Sequence, residues 1–224
     1  MDKMEDVVIL GAGGISIIRL IEEINEEKPS FNIVGFLEKD SDLIGTTIKG
    51  YPIVGNDELL LTEYKNCGVI NNIIGTTSHH RRVTETLKEK YHISRFPNIV
   101  HPSVDLNYVG IGEGNIIYNN VLLDSDVTLG SFNIFYPGTG IGHETTLGNY
   151  NLAAMNTTIG ARCQIGDENV FANASVLSLG LSVGNDNFIG VGSVVIENIS
   201  DNQFLLGNPA RNSLKVLVEY KKMK

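Results

Sequence analysis

The chain has little cysteine, little positive charge and no long apolar run. Its 224 residues include two cysteines, Cys67 and Cys163, far apart and outside any CxxC spacing. That argues against a disulfide framework or a zinc site, and no metal is expected. Lys and Arg number 17 against 26 Asp and Glu, for a formal net charge of −9 and a pI near 5.0. A general nucleic-acid binder needs a basic face to neutralise phosphates, so no nucleic-acid partner is expected. An anionic small ligand would rely on local basic groups. No apolar stretch approaches the roughly 18 residues of a membrane span. The opening MDKMEDVVIL lacks the apolar run of a signal peptide, so a cytoplasmic protein is expected. With 42% hydrophobic and 19% charged residues the chain can bury a core, and its length suits one or two domains.

Two grammars divide the chain. Residues 1–98 alternate strand and helix signals. VVIL (7–10) is followed by GAGG (11–14) and then by Ile15 to Glu27, with apolar residues at 17, 18, 20, 21 and 24, the spacing of an amphipathic helix. FNIVGFL (31–37) and GVINNIIG (68–75) read as further strands, and SHHRRVTETLKEKY (78–91) as a polar helix. The alternation predicts a small, Rossmann-like parallel α/β sheet.

Residues 99–224 follow a period of six. Ile111, Ile117, Leu123, Leu129, Phe135, Ile141, Leu147, Ala153, Ile159, Ile165, Phe171, Leu177, Val183, Ile189 and Val195 are all apolar. At a 42% background, chance gives this about twice in a million trials. Glycine follows at 112, 130, 142, 148, 160, 166, 184 and 190, and Asn and Asp fill other turn positions. These residues tolerate positive φ, which a tight corner every six residues demands. The pattern predicts a triangular solenoid of about five 18-residue coils, stacked about 4.8 Å apart.

The same period predicts columns down the outside of the prism. Ile116, Ile134, Leu152, Val170 and Phe188 form an apolar column. Leu122, Gly140, Thr158, Val176 and Val194 are mixed, and Thr128, Thr146, Gln164, Ser182 and Ser200 are polar. A soluble protein seldom leaves an apolar stripe wet, so the first column is expected to join subunits, with three-fold packing the natural closure. Cover by the C-terminal segment is the alternative.

The uninterrupted hexads, the tail FLLGNPAR (204–211), GAGG, IVGFLEKD (33–40) and GYPIVGNDEL (50–59) together resemble a known group. The layout is similar to the bacterial nucleotide-sugar acetyltransferases of the left-handed β-helix hexapeptide-repeat family. That group includes N-acetyltransferases on the routes to bacillosamine and perosamine, and sialic-acid O-acetyltransferases. The resemblance implies an N-terminal nucleotide-sugar-binding domain and a C-terminal left-handed parallel β-helix. It implies a homotrimer with acetyl-CoA lying along the β-helix between subunits. It also implies transfer to the amino group of a UDP-, dTDP- or GDP-linked 4-amino-deoxysugar, for surface glycan synthesis. His143 and Glu144, ahead of Leu147-Gly148, match the family's base and its acidic partner. By the same resemblance Gly160, Ala161, Gly190, Val191, Asn208, Pro209 and Arg211 would hold the cofactor, with Arg211, Lys215, Lys221 and Lys222 near its phosphates or, equally, forming a solvated basic tail. Ile15 stands where the N-terminal loop usually carries histidine, and Leu152 where many members have a second one.

The chemistry suits these residues. A histidine with an ordinary pKa near 6.5 serves as a base at neutral pH. Glu144 would orient it, and backbone N–H groups at Gly160 and Ala161 would stabilise an oxyanion. The competing account places the pair on a solvated corner, with Glu144 paired to Arg162 one coil on. In the first domain, Gly11, Gly13 and Gly14 allow a pyrophosphate to approach a helix N-terminus. Ser16 replaces the third glycine of the dinucleotide pattern, which weakens an NAD(P) reading. Glu38 and Asp40 face a ribose or base, or form an ordinary charged turn. Arg81, in SHHRR, either neutralises phosphate or opens a polar helix. An O-acetyltransferase and a non-catalytic β-helix scaffold remain the alternative functions.

Overall fold

The computed structural model describes residues 4–213, and the chain divides into two compact units, Met1–Pro102 and Ser103–Lys224. The first unit opens with β1 (Glu5–Leu10), α1 (Ser16–Glu27) and β2 (Phe31–Leu37). A hairpin of β3 (Thr47–Ile48) and β4 (Tyr51–Gly55) follows, then β5 (Gly68–Asn71), α2 (Thr77–Glu89) and β6 (Ile99–Val100). The sheet order is β3-β4-β2-β1-β5, with β4, β2, β1 and β5 parallel. The strands are near-continuous apolar runs because parallel strands are covered on both faces. Ile17, Ile18, Leu20, Ile21 and Ile24 of α1 are all buried, as its spacing predicts. The β3–β4 hairpin, within a stretch of turn residues, is an element that the strand-helix alternation does not announce.

The second unit is the parallel β-helix. Fifteen two-residue strands run from β7 (Gly110–Ile111) to β21 (Val194–Val195), one per hexad. They stack into three parallel sheets, each strand pairing with the strand 18 residues on. The longest of these sheets continues through β22 (Phe204–Leu206) and the antiparallel β23 (Arg211–Asn212). From Ile117 to Val195 every hexad's aliphatic residue is buried.

The recurring glycines do not make the corners. None of Gly112, Gly130, Gly142, Gly148, Gly160, Gly166, Gly184 and Gly190 has a positive φ. A Cβ on Gly142 would lie 2.6 Å from the Ala161 nitrogen, and one on Gly160 would lie 2.6 Å from that of Leu179. These glycines exist because the next coil passes too close for a side chain. The left-handed residue comes two positions later in each hexad: Asn120, Asp126, Phe132, Glu144, Tyr150, Asn156, Arg162, Glu168, Ala174 and Asp186 have φ between 53 and 60°. Each is held by its own N–H, as where Glu144 donates to the Ser125 carbonyl at 3.0 Å and Ala174 to Met155 at 2.9 Å. The non-glycine residues tolerate this conformation because the preceding coil fixes it.

The asparagines are not all turn residues either. Asn115, Asn133, Asn151, Asn169 and Asn187 lie inside the prism with at most 2% exposure. From Asn115 to Asn169 each Oδ1 accepts both the backbone N–H and the side-chain amide of the asparagine one coil on; between Asn133 and Asn151 the distances are 2.8 and 3.2 Å. The amide's other hydrogen reaches a corner carbonyl, from Asn151 to Gly166 at 2.9 Å. Gln203 ends the ladder by donating its N–H to Asn187 Oδ1 at 2.7 Å. A buried amide is tolerated only when all its groups are paired, and here they are.

The expected apolar stripe is shorter than the sequence suggests. Ile116 and Ile134 are buried, while Leu152, Val170 and Phe188 are half-buried. Phe132 and Tyr136 stand two residues to either side of Ile134, stacked on Tyr150 and Tyr118 of adjacent coils. At the other end Phe204 stacks on Phe188 at 4.9 Å and lengthens the column by one rung.

Candidate functional site

His143 and Glu144 sit at the corner after β12 (Gly140–Ile141). The register leaves both side chains outside the prism, half-exposed, with the core positions Ile141 and Thr145 buried on either side. The left-handed φ of Glu144 turns its carboxylate beside the imidazole, and Oε1 lies 3.3 Å from His143 Nδ1. A carboxylate there accepts the Nδ1 proton, which leaves Nε2 unprotonated and free to act as a base. No ion pair joins Glu144 to Arg162 among the described residues, so the surface-ladder account of Glu144 is not what forms.

The residue one coil on from His143 is Ala161. Its N–H has no hydrogen-bond partner among the described residues, whereas Gly160 N–H donates to the Leu177 carbonyl at 2.9 Å. Of the two expected oxyanion donors, Gly160 is thus already engaged and Ala161 is available. Ala161 N lies directly over Gly142, the residue before the histidine. A base, its orienting carboxylate and one unengaged backbone donor therefore share one corner.

The other expected cofactor residues lie farther along the solenoid. Gly190 N–H is bound to Leu205 O, and a Cβ there would strike the Leu206 side chain. Val191 is 72% exposed. Asn208 and Pro209 stand in the turn before β23, joined by a cis peptide. Arg211 is exposed, bonded through Nη1 to the Ala210 carbonyl and 4.0 Å from Glu197. Lys215, Lys221 and Lys222 lie outside the described residues.

In the first unit the GAGG loop leaves β1 at the carboxyl edge of the parallel sheet, the usual ligand edge of such folds. Gly11 has φ +88° and donates its N–H to Leu37 O at 3.0 Å. Gly14 has no room for a Cβ, which would fall 2.8 Å from Asn72 Nδ2. That Asn72 amide donates to Gly14 O at 3.0 Å. Gly13 is different: a Cβ there would meet nothing within 4 Å. Glu38 does not present a free carboxylate. Its Oε2 accepts the Ala12 N–H at 3.0 Å, and Oε1 accepts from Lys39 at 2.7 Å. Chiefly the Ala12 N–H holds the Glu38 carboxyl below the usual range. Glu38 and Asn72 thus pin the loop from the two flanking strands.

Asp40 is exposed and accepts the Asp42 N–H, an ordinary turn contact. Arg81 pairs with Glu85 one turn along α2 at 2.7 Å, which favours the polar-helix account. His80 beside it is buried; its Nδ1 donates to the Ile73 carbonyl at 3.2 Å, and burial pushes its pKa down to about 4. Asn72 was not among the sequence candidates. The signal was the polar pair ending the apolar strand in GVINNIIG. Among the described residues no group of His, Cys, Asp and Glu could hold a metal ion, and no helix is long and apolar enough to cross a membrane.

Residues 6–87 match the family model described as the PglD N-terminal domain. A comparison with curated proteins finds no match in sequence. Solved structures match over nearly the whole chain. A histidine-to-alanine mutant of GDP-perosamine N-acetyl transferase from Caulobacter crescentus, in complex with CoA and GDP-perosamine, is 22% identical with a TM-score of 0.81, covering 94% of this chain and 98% of its own. The acetyltransferase domain of PglB from Neisseria gonorrhoeae, in complex with acetyl coenzyme A, is 20% identical with a TM-score of 0.81, covering 94% and 100%. WeeI from Acinetobacter baumannii is 19% identical with a TM-score of 0.65, covering 94% and 100%. At these identities the likeness is one of fold: an α/β unit followed by a left-handed parallel β-helix.

Proposed function

We propose that this protein is an acetyl-CoA-dependent acetyltransferase acting on the amino group of a nucleotide-linked 4-amino-deoxysugar. The observation that carries it is the corner where His143, Glu144 and the unengaged Ala161 N–H meet. The shared fold with enzymes solved with CoA, acetyl coenzyme A and GDP-perosamine supports the same reading.

Glu144 fixes the imidazole tautomer, so His143 Nε2 takes the proton from the sugar amine as it attacks the thioester carbonyl. The Ala161 N–H donates to the developing oxyanion. Collapse of the tetrahedral species expels the CoA thiolate, which His143 reprotonates. Such a base contributes about 10²–10⁴ in rate. In the first unit the open backbone at Gly13, ahead of the N-terminus of α1, receives the pyrophosphate, with the loop already braced by Glu38 and Asn72. The half-buried column Leu152, Val170, Phe188 and Phe204 supports a homotrimer. A soluble nucleotide-sugar substrate suits the cytoplasm.

The test is release of CoA thiol from acetyl-CoA with a panel of UDP-, dTDP- and GDP-linked 4-amino-sugars. Release with one of them is expected. Release with a hydroxyl acceptor alone would overturn the N-acetyl assignment, and no release with any acceptor would leave a scaffold. Light scattering should give three times the chain mass; a monomer would overturn the trimer.

A further inference from the structure

Nearly every glycine has a visible reason to be glycine. Some adopt a positive φ, and others have a coil, strand or side chain where a Cβ would stand. Four have neither a left-handed φ nor a close neighbour: a Cβ on Gly75 or Gly110 would make only ordinary van der Waals contacts, at 3.7 and 3.6 Å, and one on Gly13 or Gly140 would meet nothing within 4 Å among the described residues. Gly13 lies in the loop at the ligand edge of the α/β unit. Gly140 lies in β12, where glycine weakens the strand and normally marks the close approach of something else.

The position of Gly140 narrows what approaches. It is three residues before His143, so the two lie within about 11 Å of each other along the chain. Ile141 is buried, so the Gly140 position faces outward. In register, Leu122 lies one coil before it and Thr158 one coil after. Leu122 is 65% exposed, a large aliphatic side chain bordering a notch. Along the corner that carries His143, charge is distributed unevenly. Asp124 and Asp126 lie on the coil before it, whereas Arg162 lies on the coil after it and Arg211, 4.0 Å from Glu197, lies farther along the C-terminal side. A polyanionic CoA chain is drawn to the C-terminal side and repelled by the other. On the acyl-transfer reading, a carbonyl oxygen at Ala161 N–H with the CoA chain on the C-terminal side would leave the acyl end directed down one coil, toward Gly140 and Leu122.

We propose that the Gly140 notch, bordered by Leu122, receives the acyl end of the acyl-CoA and sets the acyl length this protein accepts. The proposal rests on the acyl-transfer reading above. Glycine at 140 leaves room beyond an acetyl methyl, and the next coil, about 4.8 Å away, supplies the limit.

The test compares acetyl-, propionyl- and butyryl-CoA with wild type, Gly140→Ala, Gly140→Val and Leu122→Ala, by turnover and by calorimetric binding. Both positions face solvent, and thermal melts verify that each variant folds. Gly140→Val is expected to lower butyryl against acetyl turnover at least tenfold, the usual discrimination per excluded carbon group, with Gly140→Ala intermediate. Leu122→Ala is expected to shift the ratio toward the longer chains. An acyl-length ratio that stays within twofold in all three variants overturns the proposal, even where turnover falls for every thioester alike. Wild type that turns over no acyl-CoA with any acceptor overturns the acyl-transfer reading instead. In that case the binding ratios decide the notch, since CoA and butyryl-CoA would still bind differently only if the acyl end is held.

Discussion

The two units use the same residue types for opposite ends. In the α/β unit, glycine and asparagine act once each at particular places: Gly11 turns the chain, Gly13 stays open, and Asn72 pins Gly14. In the β-helix the same residues recur every coil and serve stacking, glycine by making way for the next coil and asparagine by bonding to it. The buried polar groups differ in kind as well. The first unit buries an imidazole, His80, whereas the described buried polar side chains of the second are amides, hydroxyls and the Cys163 thiol. One unit is held by singular contacts that respond to their surroundings, the other by a repeated contact that does not.

The largest expected effect contrasts chemistry with stacking. His143→Ala should lower acyl transfer by about 10²–10⁴ while leaving the melting temperature unchanged, because the side chain stands outside the prism. Activity within a few-fold of wild type would remove the histidine from the mechanism. Asn151→Ala should do the reverse damage. It strips the acceptor from the Asn169 N–H and amide and the donor from Asn133 Oδ1 and Gly166 O. At about 1–3 kcal/mol per unpaired buried group, a loss of roughly 3–5 kcal/mol is expected in denaturant titration. A loss under 1 kcal/mol would show that water or relaxation replaces the ladder.

Acid should separate the units. The His80 pKa is pushed down to about 4, below the ordinary 6.5, so the unfolded state takes up a proton that the folded state refuses. Stability of the first unit therefore falls as pH drops from about 6.5 to about 4, by an amount of the order of 3 kcal/mol. Glu38, whose carboxyl is held low by the Ala12 N–H, adds a further loss only below about 4.5. Hydrogen exchange should show β5 and α2 losing protection over that window while the solenoid strands keep theirs. Equal losses in both units would contradict the contrast. The smallest effect is at Gly13. Alanine there meets no neighbour, so stability should be unchanged while nucleotide affinity drops about tenfold, measured by calorimetry. Unchanged affinity would mean that the pyrophosphate lies elsewhere.

Much of this was legible in the residues. Period six located the fifteen strands β7 to β21, though not β22 and β23 beyond them, and the amphipathic spacing located α1, because both report burial directly. His143 and Glu144 were legible because a polar pair at a corner interrupts no packing. What the sequence hid was the reason behind a pattern. A glycine needed for φ and a glycine needed only for coil clearance look identical, and only the backbone separates Gly138, at φ +77°, from Gly142, since the next coil crowds both. The ladder asparagines look like turn residues in the sequence because their period is eighteen, three times that of the aliphatic positions. Glu38 also accepts the Ala12 N–H from 26 residues away, a contact that no local pattern announces.

The asparagine ladder also sets the unit in which this solenoid can grow or shrink. Inserting or deleting six residues preserves the alternation of aliphatic positions, yet it brings the Thr139–Thr157 column or the Val127–Thr145 column opposite asparagine and severs the run of amides. Eighteen residues restore every rung. Length variation in such a chain is therefore quantised by whole coils, even though its most visible rhythm is a third of that.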